Sequence, residues 1–499
     1  NSMISPRSMS VMASPEITPE SGETGDGPRA GTASFLVLAN RLPVRRVTGV
    51  DGTGWETSPG GLVTALAPLL AGRTDAQWLG WSGTTGTDED GSIEVDGISL
   101  VPVPLSRGEV ELFYEGFANR TLWPLYHDSI VRSEYHRTWW DAYRTVNRRF
   151  AKAAAMWAAP GAAVWVHDYH LQLVPGMLRE LRPDLRIGFF LHIPFPPVEL
   201  FLQLPWRHTI TEGLLGADVV GFQTEGGAAN FRRLAGLVTE AEVNDHEVTM
   251  RGRSVRVETF GIGVDTKTLE SMAADPQMQA RAKEVRESLG NPERVLLGVD
   301  RLDYTKGLAR RLRAFRELLE EGRLTVGRHV LVQVAEPTRE NVRDYADFRD
   351  RIDRMVGEIN GDSGEAGAVP LHYLHRHHDL EELVALYLAA DVMLVTAVRD
   401  GMNLVCKEYV ATRTDDSGVL VLSEFAGAAE TMVDALLVNP YDIDGLKLAI
   451  EQAVTMGPDA QARRMSALRE AVVASDVHRW ADAWLDALGV ARWASNTRR

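Results

Sequence analysis

Little in this chain could cross-link it. Its 499 residues include one cysteine, Cys406, which excludes a disulfide framework and fits a reducing compartment. No stretch approaches the roughly 18 consecutive apolar residues of a membrane-spanning helix. Positive charge is in deficit: 53 Lys and Arg face 69 Asp and Glu, a net −16. So acidic a chain is a poor partner for nucleic acid or an anionic membrane. Any phosphate it binds must be held by a few placed cations. A G-x-x-x-x-G-K-[ST] loop is missing, which argues against a P-loop kinase or ATPase. H-E-x-x-H and paired Cys/His spacings are missing as well, so no metal is expected, although His167, Asp168, His170 and His192 lie close in sequence. Residues 1–33 contain no aromatic side chain and are rich in Ser, Pro, Thr, Gly and Glu. Such a segment cannot bury enough apolar surface to offset its ordering entropy, so a disordered tail is expected. It has no apolar signal-peptide core either, and a cytoplasmic location is expected.

What the chain does have is a rhythm. Short apolar runs at Ser34–Ala39, Val164–Val166, Ile187–Leu191, Asp218–Phe222 and Val255–Thr259 alternate with helical patterns such as Leu62–Leu70 and Val146–Trp157. After a polar helix at about 268–289 the rhythm restarts, with runs at Val295–Val299, Val330–Ala335, Val392–Thr396, Val419–Leu422 and Leu436–Val438. Alternating strands and helices predict an α/β protein with parallel sheets wound on both faces. The length suits two large domains at about 100–200 residues each. Their expected limits are 34–265 and 266–475, with a helix in 476–499 returning to the first. Ligands of such sheets sit beyond the carboxyl ends of the strands, and a cleft between two halves suits a reaction that joins two substrates.

Five stretches put chemistry at strand ends. Asn40-Arg41 follows the first strand, and Ser58-Pro59-Gly60-Gly61-Leu62 precedes an apolar helix. Glycines at a helix start let backbone N–H groups approach a phosphate, though paired glycines also mark plain turns. The runs V-W-V-H-D-Y-H (Val164–His170) and L-H-I-P-F-P-P (Leu191–Pro197) each bring a histidine to a strand end. His167 reads as a satisfied structural histidine, and Asp168 and His192 as hydrogen-bonding groups for a polyol. V-D-R-L-D-Y-T-K-G (Val299–Gly307) sets Arg301 and Lys306 five residues apart. A guanidinium fork and a compact ammonium suit a diphosphate; a loop salt-bridged to Asp300 and Asp303 is the plainer alternative. R-D-G-M-N-L-V-C-K-E (Arg399–Glu408) puts Asp400 in a turn, opens a helix at Gly401–Leu404 and carries Glu408 about 12 Å further on. Carboxylates at both ends suit sugar hydroxyls. Cys406 reads as a small core residue. Trp78 and Trp81 of Q-W-L-G-W-S-G fit the core or sugar stacking equally. On their own, Tyr114, Trp123 and Arg339 read as core or surface residues, and the four histidines of His372–His378 as a solvated loop.

Taken together, G-W-S-G, H-D-Y-H, H-I-P-F-P, R-L-D-Y-T-K-G and R-D-G-M-N-L-V resemble the trehalose-6-phosphate synthases, retaining glucosyltransferases with two Rossmann-like domains in the GT-B arrangement. The resemblance runs from about Phe35 to about Trp484. It implies two substrates, a nucleoside-diphosphate glucose and glucose 6-phosphate, and no cofactor. By that resemblance Arg41, Tyr114, Trp123 and Arg339 clamp the phosphate of the acceptor, Asp168 contacts its sugar, and Trp81 shapes the same pocket. On the donor side, the Gly61 backbone, Arg301 and Lys306 hold the diphosphate. His192 and Asp400 contact the transferred glucose, the backbone of Asn403, Leu404 and Val405 holds phosphate, Glu408 holds the ribose, and Met402 joins the donor-binding set. Arg301, Lys306, His192 and Asp400 form the implied catalytic set. The sequence offers no obvious close carboxylate pair of the kind retaining glycosidases use; the resemblance implies that the leaving phosphate itself takes the acceptor proton on the same face. The segment Leu42–Pro59 departs from the pattern as a long polar loop. A dimer or tetramer is expected. Three rivals stay open: another phosphorylated acceptor such as glycerol phosphate, a silent sugar-phosphate sensor, and a sugar-nucleotide epimerase on the same fold.

Overall fold

A computed structural model of the chain describes residues 31–49, 52–57, 61–86, 91–365 and 367–490. Most of the expected tail lies outside these residues, but its last residue, Ala33, is buried in the first strand.

Among the described residues two large sheets form, and they share one winding scheme. In the first, seven strands run parallel. Their spatial order is Ile98–Pro102, Ala76–Trp81, Ala33–Arg41, Ala158–His167, Arg186–Phe190, Val219–Phe222 and Arg253–Thr259. Antiparallel strands extend both edges. In the second sheet the order is Leu371–Leu374, His329–Glu336, Arg294–Arg301, Val392–Val395, Val419–Ser423 and Leu436–Val438, all parallel. Counted along the chain, this is the 3-2-1-4-5-6 order of nucleotide-binding sheets, and the core of the first sheet follows it too. Strands such as Val295–Val299 are buried on both faces, which is why they read as unbroken apolar runs.

Four expectations change here. The strand Ala76–Trp81 went unread because glycine and tryptophan break its apolar pattern, yet it pairs directly with the first strand. Its Trp78 is core. The supposed loop 42–59 contains an antiparallel hairpin, Val44–Gly49 with Gly52–Thr57. The polar helix at 268–289 is two helices, Thr266–Ala274 and Pro276–Ser288, because Pro276 has no N–H with which to continue the first. His372 lies on the edge strand Leu371–Leu374 and His378 is buried, so the histidine run is not a solvated loop.

The chain crosses between the halves twice, near Ile262–Val264 and Ser475–Val477. The crossings touch: the Val477 N–H donates to the Val264 carbonyl at 3.1 Å, and any Cβ at Gly263 would collide with the Ser475 carbonyl oxygen. Both halves also grip Ile262. Gln223 accepts its N–H at 3.0 Å, and the buried Lys407 ammonium donates to its carbonyl at 2.7 Å. Beyond the second crossing, Asp476 caps the helix Val477–Ala487. Trp480 and Trp484 stand one turn apart on its buried face. The Trp484 ring stacks on Trp165 at 5.1 Å and meets Phe190 edge-on at 5.5 Å, so this last helix packs on the first sheet. Among the described residues no helix is long and apolar enough to cross a membrane. Removing the fully buried Trp484 indole leaves a large cavity. Trp484→Ala is therefore expected to cost about 3–5 kcal/mol, measured as a lower denaturation midpoint; an unchanged midpoint would show that the closing helix contributes no packing.

Candidate active site

In a sheet of this order, the loops diverge where the winding reverses, between the first and fourth strands. In the first half those strands are Ala33–Arg41 and Ala158–His167. Arg41 ends one, and Asp168 follows the other. In the second half they are Arg294–Arg301 and Val392–Val395. Arg301 ends one, and the turn carrying Asp400 follows the other. The topology alone thus brings four of the sequence-predicted segments to the two open mouths of the sheets.

The halves meet there closely. A side chain at Gly401 would run into the carbonyl oxygen of His192, and Arg399 Nε lies 3.2 Å from Asp128 Oδ2. Arg339 reaches from the second half over the face of Trp123 in the first, its guanidinium 3.7 Å from the ring centre, and donates to the Tyr169 hydroxyl at 3.1 Å. Arg301 lies 5.5 Å from the same indole. One tryptophan therefore lies against a cation from each of the two expected substrate-binding sets. Arg41 lies over Trp81 at 4.5 Å, and Tyr114 meets Trp81 edge-on at 6.0 Å. Tyr114 is presented by Val110–Leu122, a wide helix of i→i+5 bonds, a rare form that recurs at functional sites.

Three buried cations of the site, Arg339, Arg311 and Lys306, are each paired with a carboxylate. Arg339 donates to Asp303 Oδ2 at 2.9 Å and to the Tyr345 hydroxyl, which itself donates to Asp303 at 3.0 Å. The Thr305 N–H and hydroxyl both donate to the other Asp303 oxygen at 2.9 Å. Burial pushes the Asp303 carboxyl up, but Arg339, Arg301 and these bonds outweigh it and hold it below the usual carboxylate range. Asp300 pairs instead with the fully buried Arg311 at 2.6 Å. The R-L-D-Y-T-K-G loop is therefore not salt-bridged within itself. Arg301 has no ion-pair partner among the described residues, and Lys306 crosses to Asp400 at 2.6 Å. Burial would raise Asp400 too, but Lys306 and Asn403 hold it below its ordinary value.

Around Asp400 the helix begins later than the sequence suggested, at Leu404, with Asn403 as its cap at φ +82°. The Asn403 side chain donates to Asp400 at 3.1 Å and accepts the Cys406 N–H at 3.0 Å. This leaves the N–H groups of Leu404 and Val405 in the first turn, where an anion is favoured. Met402 is buried in the core, so only its main chain is in question as a ligand. Glu408 accepts the Tyr387 hydroxyl at 2.7 Å; burial raises its carboxyl, Tyr387 lowers it and Glu336 raises it further. Gly61 opens the helix Gly61–Leu70, while Ser58, Pro59 and Gly60 lie outside the described residues. Burial pushes the Cys406 thiol up to about 12, which removes it as a nucleophile.

His192 stands just past the strand Arg186–Phe190, beside Asp168 and His167. Its N–H donates to Asp168 Oδ1 at 3.1 Å, and its Nε2 faces His167 Nδ1 at 3.0 Å. Desolvation brings His192 down to about 3 and His167 well below its ordinary value, so both rings are neutral and a single proton lies between the facing nitrogens. His167 is not the satisfied structural residue expected, because its buried Nε2 has no partner. Asp168 sits at φ 72°, ψ 170°, a region almost confined to glycine and costing about 1–3 kcal/mol. Strain of this size marks a position held for use.

The model for glycosyltransferase family 20 matches residues 33–489. The chain belongs to glycosyltransferase family 20. A trehalose-6-phosphate synthase of Mycolicibacterium gilvum is 57% identical over 483 residues, covering 94% of this chain and 96% of that protein. Among solved structures, an E. coli protein described as bound with UDP-2-fluoro glucose superposes with a TM-score of 0.83 at 34% identity, over 91% of this chain and 98% of that one. A Burkholderia xenovorans α,α-trehalose-phosphate synthase in complex with glucose-6-phosphate gives a TM-score of 0.83 at 32% identity, over 91% and 99%. The fold of this family 20 glycosyltransferase is thus GT-B, two Rossmann-like sheets facing across a cleft.

Sequence reading missed the groups that hold these side chains in place: Asp303, Tyr345, Tyr169 and Tyr387. Asp303 was visible in its motif and was read only as a loop salt-bridge partner. No local signal marks the tyrosines, which reach the site from elsewhere in the chain. Among the described residues no three His, Cys, Asp or Glu side chains converge as metal ligands.

Asp168 yields a stability prediction. Burial raises its carboxyl from 3.8 to about 6, against the pull of the backbone N–H groups of His192, Tyr169 and Ile193. The folded value exceeds the unfolded one, so the associated stability is full below pH 3.8 and is lost as pH rises through about 6. At pH 7.5 the free enzyme therefore carries a strained charge. Asp168→Asn is expected to be more stable than wild type there, by up to about 3 kcal/mol, and no more stable below pH about 4. A variant less stable at every pH would reverse this reading.

Proposed function

We propose that this glycosyltransferase moves glucose, with retention, from a nucleoside-diphosphate glucose to glucose 6-phosphate, giving α,α-trehalose 6-phosphate and the nucleoside diphosphate. The observation that carries the reading is the double use of Trp123. Arg339, in the acceptor set, and Arg301, in the donor set, bear on one indole, so the two phosphate-binding regions are contiguous and their sugars would meet beside His192 and Asp400. The relatives' names, and the two structures described with a UDP-sugar analogue and with glucose-6-phosphate, support the same substrates.

In this reading Arg301, Lys306 and the helix start at Leu404 take the diphosphate. Lys306 gives up Asp400 for it, and Asp400 is freed to accept a hydroxyl of the transferred glucose. As the glycosidic bond breaks, negative charge grows on the leaving phosphate oxygen, and the two cations stabilise it more than they stabilise the intact donor. That oxygen accepts the proton of the attacking acceptor hydroxyl on the same face. A neutral His192 lies beside the developing sugar cation without repelling it. Glu408 takes the ribose. Cations of the protein supply the phosphate's counter-charge, so we propose that no metal is needed.

Arg301→Ala and Lys306→Ala are each expected to lower saturated turnover by about 10²–10³, and the double variant by less than the product, since both act on one group. Normal turnover with only a raised donor KM would reduce both to anchors. Activity should also persist in EDTA, and a loss restored by a divalent ion would overturn metal independence. Comparing UDP-, ADP- and GDP-glucose against glucose 6-phosphate and glycerol phosphate tests the pairing of substrates; no disaccharide phosphate from any of the three would sink the proposal.

A further inference from the structure

The last residue of H-D-Y-H, His170, is used by nothing described so far. It is 9% exposed, yet neither ring nitrogen has a protein partner. Burying polar nitrogens without partners is unfavourable, and such groups in a native protein call for an explanation. Looseness does not supply one. The His170 carbonyl accepts from Asn147 at 3.0 Å. Its ring is packed between Tyr169, 3.9 Å away, and Tyr114, which stacks on it at 5.9 Å and 15°. Both neighbours belong to the acceptor pocket: Tyr114 touches Trp81, beneath Arg41, and the Tyr169 hydroxyl accepts from Arg339. Trp123 Nε1 and Arg339 Nε, on the same pocket, are also buried without partners. Unused donors are thus concentrated where an anion would sit.

We infer that His170 is a further binding residue for the acceptor, donating one imidazole N–H to an oxygen of its phosphate. The ring does this uncharged: burial, with Arg339 and Arg41 nearby, keeps it well below its ordinary value. A neutral donor fits this place better than a third cation, because it adds a hydrogen bond to the bound phosphate without adding to the repulsion between two guanidinium groups. The inference rests on the acceptor being a sugar phosphate.

His170→Phe keeps the ring and its stacking and removes both nitrogens. It is expected to raise the acceptor KM about 10-fold, the value of one hydrogen bond to a charged group, with donor KM and saturated turnover changed less than about 2-fold. His170→Gln, whose amide can donate, should recover most of the loss. An unchanged acceptor KM in His170→Phe overturns the inference. So does a joint rise in both KM values with a lowered Tm and no recovery in His170→Gln, which is the signature of packing alone. If His170→Phe does not fold, the ring 15N resonance of wild type, assigned by its absence in His170→Gln, must shift on adding glucose 6-phosphate and stay put with glucose; no shift overturns the inference. Should wild type prefer another phosphorylated acceptor, the acceptor reading fails, and the same ratio measured with that acceptor still decides the role of His170.

Discussion

The site depends on one buried ion pair, Asp303 with Arg339. Neither side chain meets solvent to any extent, so removing either partner strands a charge in the interior, a cost of about 3–5 kcal/mol. The pair also spans functions. Asp303 is fixed by Thr305 within the loop that carries Arg301 and Lys306, while Arg339 extends across the cleft to Trp123 and Tyr169. Position is thereby transmitted from the R-L-D-Y-T-K-G loop to the face of Trp123 through a single carboxylate. The left-handed backbone of Arg339, at φ +47°, is the conformational cost of bringing its guanidinium there.

The proposed reaction asks an acidic protein to bind two phosphorylated substrates, which sets a specific difficulty: its cations have to be concentrated, and concentrated cations repel one another. Here carboxylates neutralise them in pairs. Asp303 holds Arg339, Asp400 holds Lys306, and Asp300 with Gln333 holds Arg311 beneath them. Arg301 is left without an anion among the described residues. The histidines complement this. Crowded by burial, His167, His170 and His192 stay uncharged, so they add hydrogen bonding without adding charge.

Much of this was legible in one dimension. Buried parallel strands announce themselves as apolar runs, and the residues just beyond them, Arg41, Asp168, Arg301 and Asp400, stand at the winding reversals of both sheets. Where the local pattern was impure, reading failed. The strand Ala76–Trp81 carries Gly80 and two tryptophans, and the paired strands Val44–Gly49 and Gly52–Thr57 are too polar to read as strands. Helix starts were misplaced by cap chemistry, since a positive φ at Asn403 leaves no compositional trace. The partners were harder still. Tyr345 and Tyr387 act on Asp303 and Glu408 from distant helices, and only folding brings them there. His378 looked solvated because a run of histidines is usually exposed, whereas the edge strand beside it draws it inward.

The adjacency of the two chain crossings has a mechanical consequence. Two separate tethers would let the halves slide, twist or part. Two tethers in contact, one locked to the other by the Val477–Val264 bond and both halves gripping Ile262, behave as the pin of a door. Swinging about that line stays soft, while shear would break the pin itself. Relative motion of the halves is thereby confined to rotation about one line, which keeps the mouths of the two sheets in register.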